Sequence, residues 1–186
     1  MRNPDARHDD EYERLRWAYK PDTVRYLLVG ESPPDPRGGP LRFFYSPQFR
    51  HPDNLYVSVV TAILGSTSYL KDKSKNLSEL QRQGWWLVDA VGFPINGIKN
   101  ETLRRAAIRE GFRSLQVTLR RSDVRPAVGA IICMPRVFQE LANPIRKLGV
   151  RVLHECPISF PIGEQRDAFI QILRGIVRLA GRPAEP

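Results

Sequence analysis

Apolar residues along the chain gather in short unbroken runs, and the segments between those runs carry a helical period. The run Val24-Arg25-Tyr26-Leu27-Leu28-Val29 is β-branched and aromatic and stops at Gly30. A run of that length predicts a buried strand. Further runs at 85–91, 127–133 and 150–153 repeat the pattern. Around them, apolar residues three and four apart predict helices over 9–19, 55–64, 76–83, 101–121, 136–147 and 163–179. Asn54 and Asn100 stand as N-caps, Asn76 with Glu79 resembles a capping box, and Gly65, Gly84 and Gly149 are stops. Lys71 to Lys75 is expected to be a solvated basic connector. Four strands joined by crossovers of helical length predict an α/β fold: a three-layer α/β/α sandwich with a central four-stranded parallel sheet. Residues 9–180 are expected to form a single domain, with flexible tails at 1–8 and 181–186.

In a parallel sheet the carboxyl ends of the strands form the ligand side. Glu31 and Ser32 follow the first strand, Asp89 lies near the end of the second with Asn96 in the loop beyond, and His154 follows the fourth. Phe43 and Phe44 close the first loop and are available to line a crevice. Singly, each has a plainer role: Glu31 accepting turn N–H groups, Asp89 paired with an arginine, His154 hydrogen-bonded at a strand end, the phenylalanines in the core. Polar titratable residues at the ends of several strands of one sheet are also how open α/β sheets assemble active sites.

Charge adds a partner to this picture. The chain has 29 Lys+Arg against 20 Asp+Glu, a net charge of +9, and a pI near 10.0. That excess favours a polyanion, with solubility alone as the simpler explanation. The N-terminus lacks an apolar signal core and no stretch reaches the length of a membrane span, so a cytoplasmic protein without membrane contact is expected, as a monomer. Cys133 and Cys156 are the only cysteines. No C-x-x-C spacing supports a zinc site built from them with His154, and their number excludes a four-cysteine iron–sulfur cluster, so no metal or cofactor is expected.

Two chemistries fit the candidate residues. Ser32, Asp89 and His154 occur in the chain order of an α/β-hydrolase triad. Pro33, however, has no N–H for an oxyanion hole, and Pro34 replaces the second glycine of G-x-S-x-G. The other is hydrolysis of an N-glycosidic bond in a nucleic acid. There a carboxylate positions water, a histidine stabilises the departing base anion and an aromatic ring stacks on a flipped base. Glu31, His154 and Phe44 match those requirements, with the basic surface contacting phosphates.

Gly30-Glu31-Ser32-Pro33-Pro34, with Phe44 fourteen residues after Gly30, resembles the first motif of the uracil-DNA glycosylase superfamily in its G-E-x-P-G form. His154-Glu155-Cys156-Pro157 resembles that superfamily's second motif, H-P-S-P, and the strand carrying Asp89 falls where the family has one ending in a base-reading asparagine. The resemblance spans roughly 24–179. It implies the α/β/α fold and a monofunctional DNA glycosylase acting on uracil or another deaminated base in double- or single-stranded DNA. It makes Glu31 the water-positioning group, Phe44 the stacking ring and His154 the leaving-group stabiliser. Phe43, Asp89, Ser32 and Asn96 complete the base-binding set. Gly30, Pro33 and the 157–163 loop, with Pro157, Ile158, Ser159 and Phe160, would approach DNA, Ile158 and Phe160 being the candidate wedges.

Three positions depart from the pattern. Pro34 replaces a glycine, Glu155 replaces a proline, and Asp89 stands where asparagine is expected. An ionised aspartate only accepts hydrogen bonds, whereas asparagine also donates. These departures leave open a second class of function, a nucleic-acid-binding module that keeps the fold without efficient chemistry. A hydrolase of a small nucleotide-like substrate is a third.

Overall fold

A computed structural model describes residues 6–36, 43–46, 53–65 and 71–180, with the backbone alone for 6–10. The expected tail at 181–186, most of the one at 1–8, and the glycines Gly38 and Gly39 of the first loop lie outside the described residues. Helix α1, Ala6–Ala18, leads into strand β1, Tyr26–Gly30, followed by α2, Asn54–Leu64, and α3, Lys73–Arg82. Then come β2, Trp85–Asp89, α4, Glu101–Leu119, β3, Gly129–Ile132, α5, Pro135–Lys147, and α6, Gln165–Ala180. The strands are parallel in the order β2-β1-β3. Every residue of β1 is buried, as the central strand of a parallel sheet requires.

The expected fourth strand does not form. Ala130 N–H donates to Arg151 O at 2.7 Å and Leu153 N–H to Ala130 O at 2.9 Å, leaving a single bridge between Ala130 and Val152. The next N–H along β3, that of Ile132, goes instead to the imidazole Nε2 of His154 at 2.9 Å. A side chain therefore occupies the ladder position and ends the pairing after one step. The described sheet has three strands.

Register puts Tyr26 and Leu28 beside Trp85 and Leu87 on one face, and Leu27 and Val29 beside Trp86 and Val88 on the other. Helices α2 and α6 pack together and share a cavity with Tyr26 and Trp85. On the opposite face Trp86 and Val88 share a cleft with Trp17 of α1 and Leu115 of α4. Trp17 tilts onto Trp86 at 5.1 Å, and Trp86 Nε1–H donates to Arg16 O at 3.0 Å, so α1 lies along the edge strand β2. The outward backbone of Leu87, midway along that edge, is also answered: Tyr45 Oη accepts from Leu87 N–H at 2.6 Å and donates to Leu87 O at 3.3 Å. An edge whose central residue is capped is a poorer template for pairing with another chain.

Helix starts differ from the sequence pattern most clearly at three places: α1 begins at Ala6, so residues 6–8 are helical and not part of the expected tail, and α2 and α3 do not start at the expected asparagines. Asp53, not Asn54, caps α2, accepting from Tyr56 N–H at 2.7 Å; Asn54 instead accepts from Arg166 Nη2 at 2.7 Å. Helix α3 begins at Lys73, and Asn76 is an interior residue donating to Tyr56 Oη at 3.2 Å. Asn100 caps α4 as expected, accepting from Leu103 N–H at 3.1 Å. Pro144 sits inside α5, which continues to Lys147.

Candidate functional site

At the carboxyl ends of β1 and β2 lies a cavity of about 280 Å³. Ligand pockets of drug-sized molecules begin near 300 Å³, so this one is at the small end of that range. Its lining contains Gly30, Glu31, Ser32 and Pro33 from the first motif, Phe43 and Phe44, and Asp89, Asn96 and Phe160. Glu31, Ser32, Asp89 and Asn96, which the strand-end rule placed together, all lie in this lining, while His154 does not.

Glu31 is 5 % exposed and lies in a cage of two arginines. Arg104 Nε donates to its Oε1 at 2.9 Å and Nη2 to its Oε2 at 2.5 Å, while Arg136 Nη1 donates to Oε1 at 2.9 Å. A carboxylate offers about four acceptor positions; three are taken, and the one left is on Oε2. The cage is braced from behind, because Arg136 also pairs with Glu101 at 2.9 Å and Arg105 links Glu101 to Glu140. Glu31 is thus held by α4 and α5.

Asp89 turns one carboxylate oxygen into an ion pair and leaves the other free. Arg16 Nη2 donates to Oδ2 at 2.8 Å, with both side chains almost fully enclosed. Oδ1 has no partner among the described residues and lies over Gly30, where any Cβ would collide with it. Gly30 is required for that approach and not for an unusual backbone angle. Burial raises the Asp89 carboxyl pKa against the opposing pull of Arg16. Asn96 receives a 3.3 Å hydrogen bond from Asp35 N–H on Oδ1. Its amide nitrogen has no partner among the described residues. Ser32 Oγ accepts from Ile95 N–H at 3.4 Å, which ties the first and second loops together.

The aromatic wall is fixed from three directions. Phe43 and Phe44 are 2 % and 4 % exposed. Tyr12 meets Phe43 edge-on at 5.1 Å while its hydroxyl donates to Pro34 O at 2.5 Å. Phe44 packs edge-on against Tyr45 and Tyr56. Lys73, expected in a solvated connector, is buried instead: Nζ donates to Phe43 O at 3.2 Å and lies 4.6 Å from the centre of the Tyr56 ring. Burial lowers its pKa to about 8, against the pull of Asp53. Asp53 also lines the cavity, and burial raises its pKa.

His154 does not join this cavity. Its Nε2 accepts from Ile132 N–H, so the ring proton sits on Nδ1, which donates to Cys156 O at 2.7 Å. Burial, reinforced by the Arg146 guanidinium, lowers its pKa, which favours the neutral ring. Phe138 packs against it at 4.9 Å. Both ring nitrogens are engaged by backbone, the plainer of the two roles considered from sequence. The loop beyond divides likewise. Ile158, a candidate wedge, is 3 % exposed and belongs to the core. Pro157 and Ser159 are exposed away from the lining, and the exposed apolar residue at the cavity is Ile162, at 59 %.

Sequence reasoning missed Arg16, Asp53, Lys73, Arg104, Arg136 and Met134. The arginines sit on helices whose facing became clear only once the strands were ordered. No described group of three metal-ligating side chains converges, Cys133 being buried and Cys156 exposed. No described helix is long and apolar enough to cross a membrane. Comparisons of the chain with protein-family models, with characterised proteins and with solved structures find no match.

Proposed function

We propose that the cavity takes one base extruded from DNA and that the protein hydrolyses its N-glycosidic bond, acting as a monofunctional DNA glycosylase that leaves an abasic site. The convergence of Glu31, an aromatic wall, a free acceptor on Asp89 and a free amide on Asn96 in one base-sized cavity carries this reading. A base edge with an N–H beside a carbonyl matches that pair, the N–H donating to Asp89 Oδ1 and the carbonyl accepting from Asn96. Uracil, hypoxanthine and xanthine share such an edge. The remaining acceptor position of Glu31 holds the water, whose oxygen bonds to the sugar C1′ as the C1′–N bond breaks; the bond's electron pair leaves with the base, the water's surplus proton passes to Glu31 Oε2, and the base anion is protonated from solvent. Arg104, half-buried and lining the cavity, faces the departing anion in the role the resemblance gave to His154. Preorganised positive charge at developing negative charge is commonly the largest catalytic contribution.

A second reading, a binding module without efficient hydrolysis, is supported by the engagement of both His154 ring nitrogens with backbone. Alkali-sensitive strand cleavage separates the two. Labelled oligonucleotides carrying uracil, hypoxanthine, xanthine or thymine opposite guanine are incubated with the full chain. Hydrolysis predicts cleavage at one lesion, reduced by roughly 10²- to 10⁴-fold in Glu31→Gln. Salt-sensitive binding with no cleavage at any lesion supports the second reading.

A further inference from the structure

On the same sheet face as the base cavity, at the amino ends of the strands, lies a second cavity of about 470 Å³. Tyr26 and Trp85, the first paired residues of β1 and β2, form its floor as parallel rings 4.3 Å apart. The residues are 5 % and 4 % exposed; the Tyr26 hydroxyl and the Trp85 indole N–H have no hydrogen-bond partner among the described residues and neither is fully enclosed, so both still reach solvent. Two solvent-reaching donors with no protein partner among the described residues are available to an acceptor in the cavity.

The walls specify its charge. Every charged residue of the lining is an arginine: Arg25, Arg174 and Arg178. Arg174 is committed to the carboxyl end of α2, donating to Thr61 O at 3.0 Å and Ala62 O at 3.4 Å. It thereby answers the partial negative charge of that helix end, the one feature that opposes an anion there. Arg25 lies over the Tyr26 ring at 5.6 Å, and neither Arg25 nor Arg178 has an ion pair or side-chain hydrogen bond among the described residues.

We infer that this cavity is a phosphate-ester site, separate from the base cavity, that takes the phosphate of a nucleotide between Arg25 and Arg178 with the Trp85 and Tyr26 donors beneath. Guanidinium groups bind phosphate by paired, charge-assisted hydrogen bonds, and a volume of about 470 Å³ falls within the range of small-molecule pockets. The phosphate can belong to a free mononucleotide or to the end of a nucleic-acid strand.

Titration of the full chain with inorganic phosphate, adenosine 5′-monophosphate, and one DNA strand with and without a 5′-phosphate tests the assignment. Trp85 indole N–H resonance and heat of binding are the readouts. The phosphate-bearing probes are expected to shift the Trp85 signal. The Arg25→Gln/Arg178→Gln double variant, which removes two exposed charges, is expected to bind them roughly tenfold or more weakly at an unchanged melting temperature. Tighter binding of the mononucleotide, or of the phosphorylated strand over its unphosphorylated twin, identifies the source. A Trp85 signal that none of these probes moves, or a double variant that binds as the wild type does, overturns the assignment. Met134→Trp, which fills the base cavity, leaves this binding unchanged, so the two sites are judged independently.

Discussion

Asp89 is the residue on which the proposed base site most depends. One of its oxygens is neutralised by Arg16 and the other stays available over Gly30, so a single side chain ties α1 to the sheet and presents an acceptor to a ligand. Removing one partner of an enclosed ion pair strands the other in a poorly solvating environment, at roughly 3–5 kcal/mol. Arg16→Met is therefore expected to lower unfolding free energy by about that amount, measured by urea denaturation. A loss under about 1 kcal/mol would mean that Asp89 reaches water and that its placement does not need α1. Asp89 itself was legible in the sequence as a charge interrupting an apolar strand. Arg16 was not, because partners 73 residues apart leave no local pattern.

At the scale of elements, His154 decides how the sheet ends. Its neutral imidazole takes the Ile132 N–H that a fourth strand would have taken, and protonation would replace that acceptor by a donor. Its folded pKa lies below the ordinary histidine value of about 6.5. The unfolded chain therefore binds the proton more readily. The stabilisation is complete above pH of about 6.5 and is lost as pH falls through that value to the lowered folded one. His154→Ala is expected to cost about 1–3 kcal/mol at pH 7.5, by leaving a buried N–H unpaired. The difference from wild type should shrink at pH 5. A difference equal at both pH values would contradict the neutral-acceptor role.

The same residue explains the limits of sequence reading. Four apolar runs were visible, and three became strands because their N–H and C=O groups pair with backbone. The fourth, at 150–153, had the right composition. What ended its pairing was a side chain two residues beyond Val152, and periodicity carries no information about which acceptor an N–H will choose. Strand-end placement of Glu31, Ser32 and Asp89 was legible because parallel topology fixes which end of each strand faces a ligand. The burial of Lys73 was hidden by its charged neighbours, since only the packed Tyr56 ring and the Phe43 carbonyl reveal why that one lysine turns inward.

Across the whole molecule, charge and shape act together. The net charge of +9 is what the proposed nucleic-acid partner would meet, and three carboxylates on the cavity lining each have a cationic neighbour, Glu31 with Arg104 and Arg136, Asp89 with Arg16, and Asp53 with Lys73. The cavity is consequently close to neutral inside a basic protein. That combination suits an uncharged base attached to a charged backbone. Binding should then weaken by about 10–100-fold between 50 and 200 mM salt as released counterions lose their advantage. Salt-independent affinity would remove DNA as the partner.

Both functional readings share the claim that the cavity at the ends of β1 and β2 receives a single unstacked base. The most direct test is the affinity of the full chain, at fixed salt, for a duplex with one unpaired uracil or hypoxanthine against the fully paired duplex of equal length. The account predicts a preference of roughly tenfold or more for the unpaired base, abolished by Met134→Trp without loss of melting temperature. Equal affinity for the two duplexes, or a preference that survives filling the cavity, would contradict it.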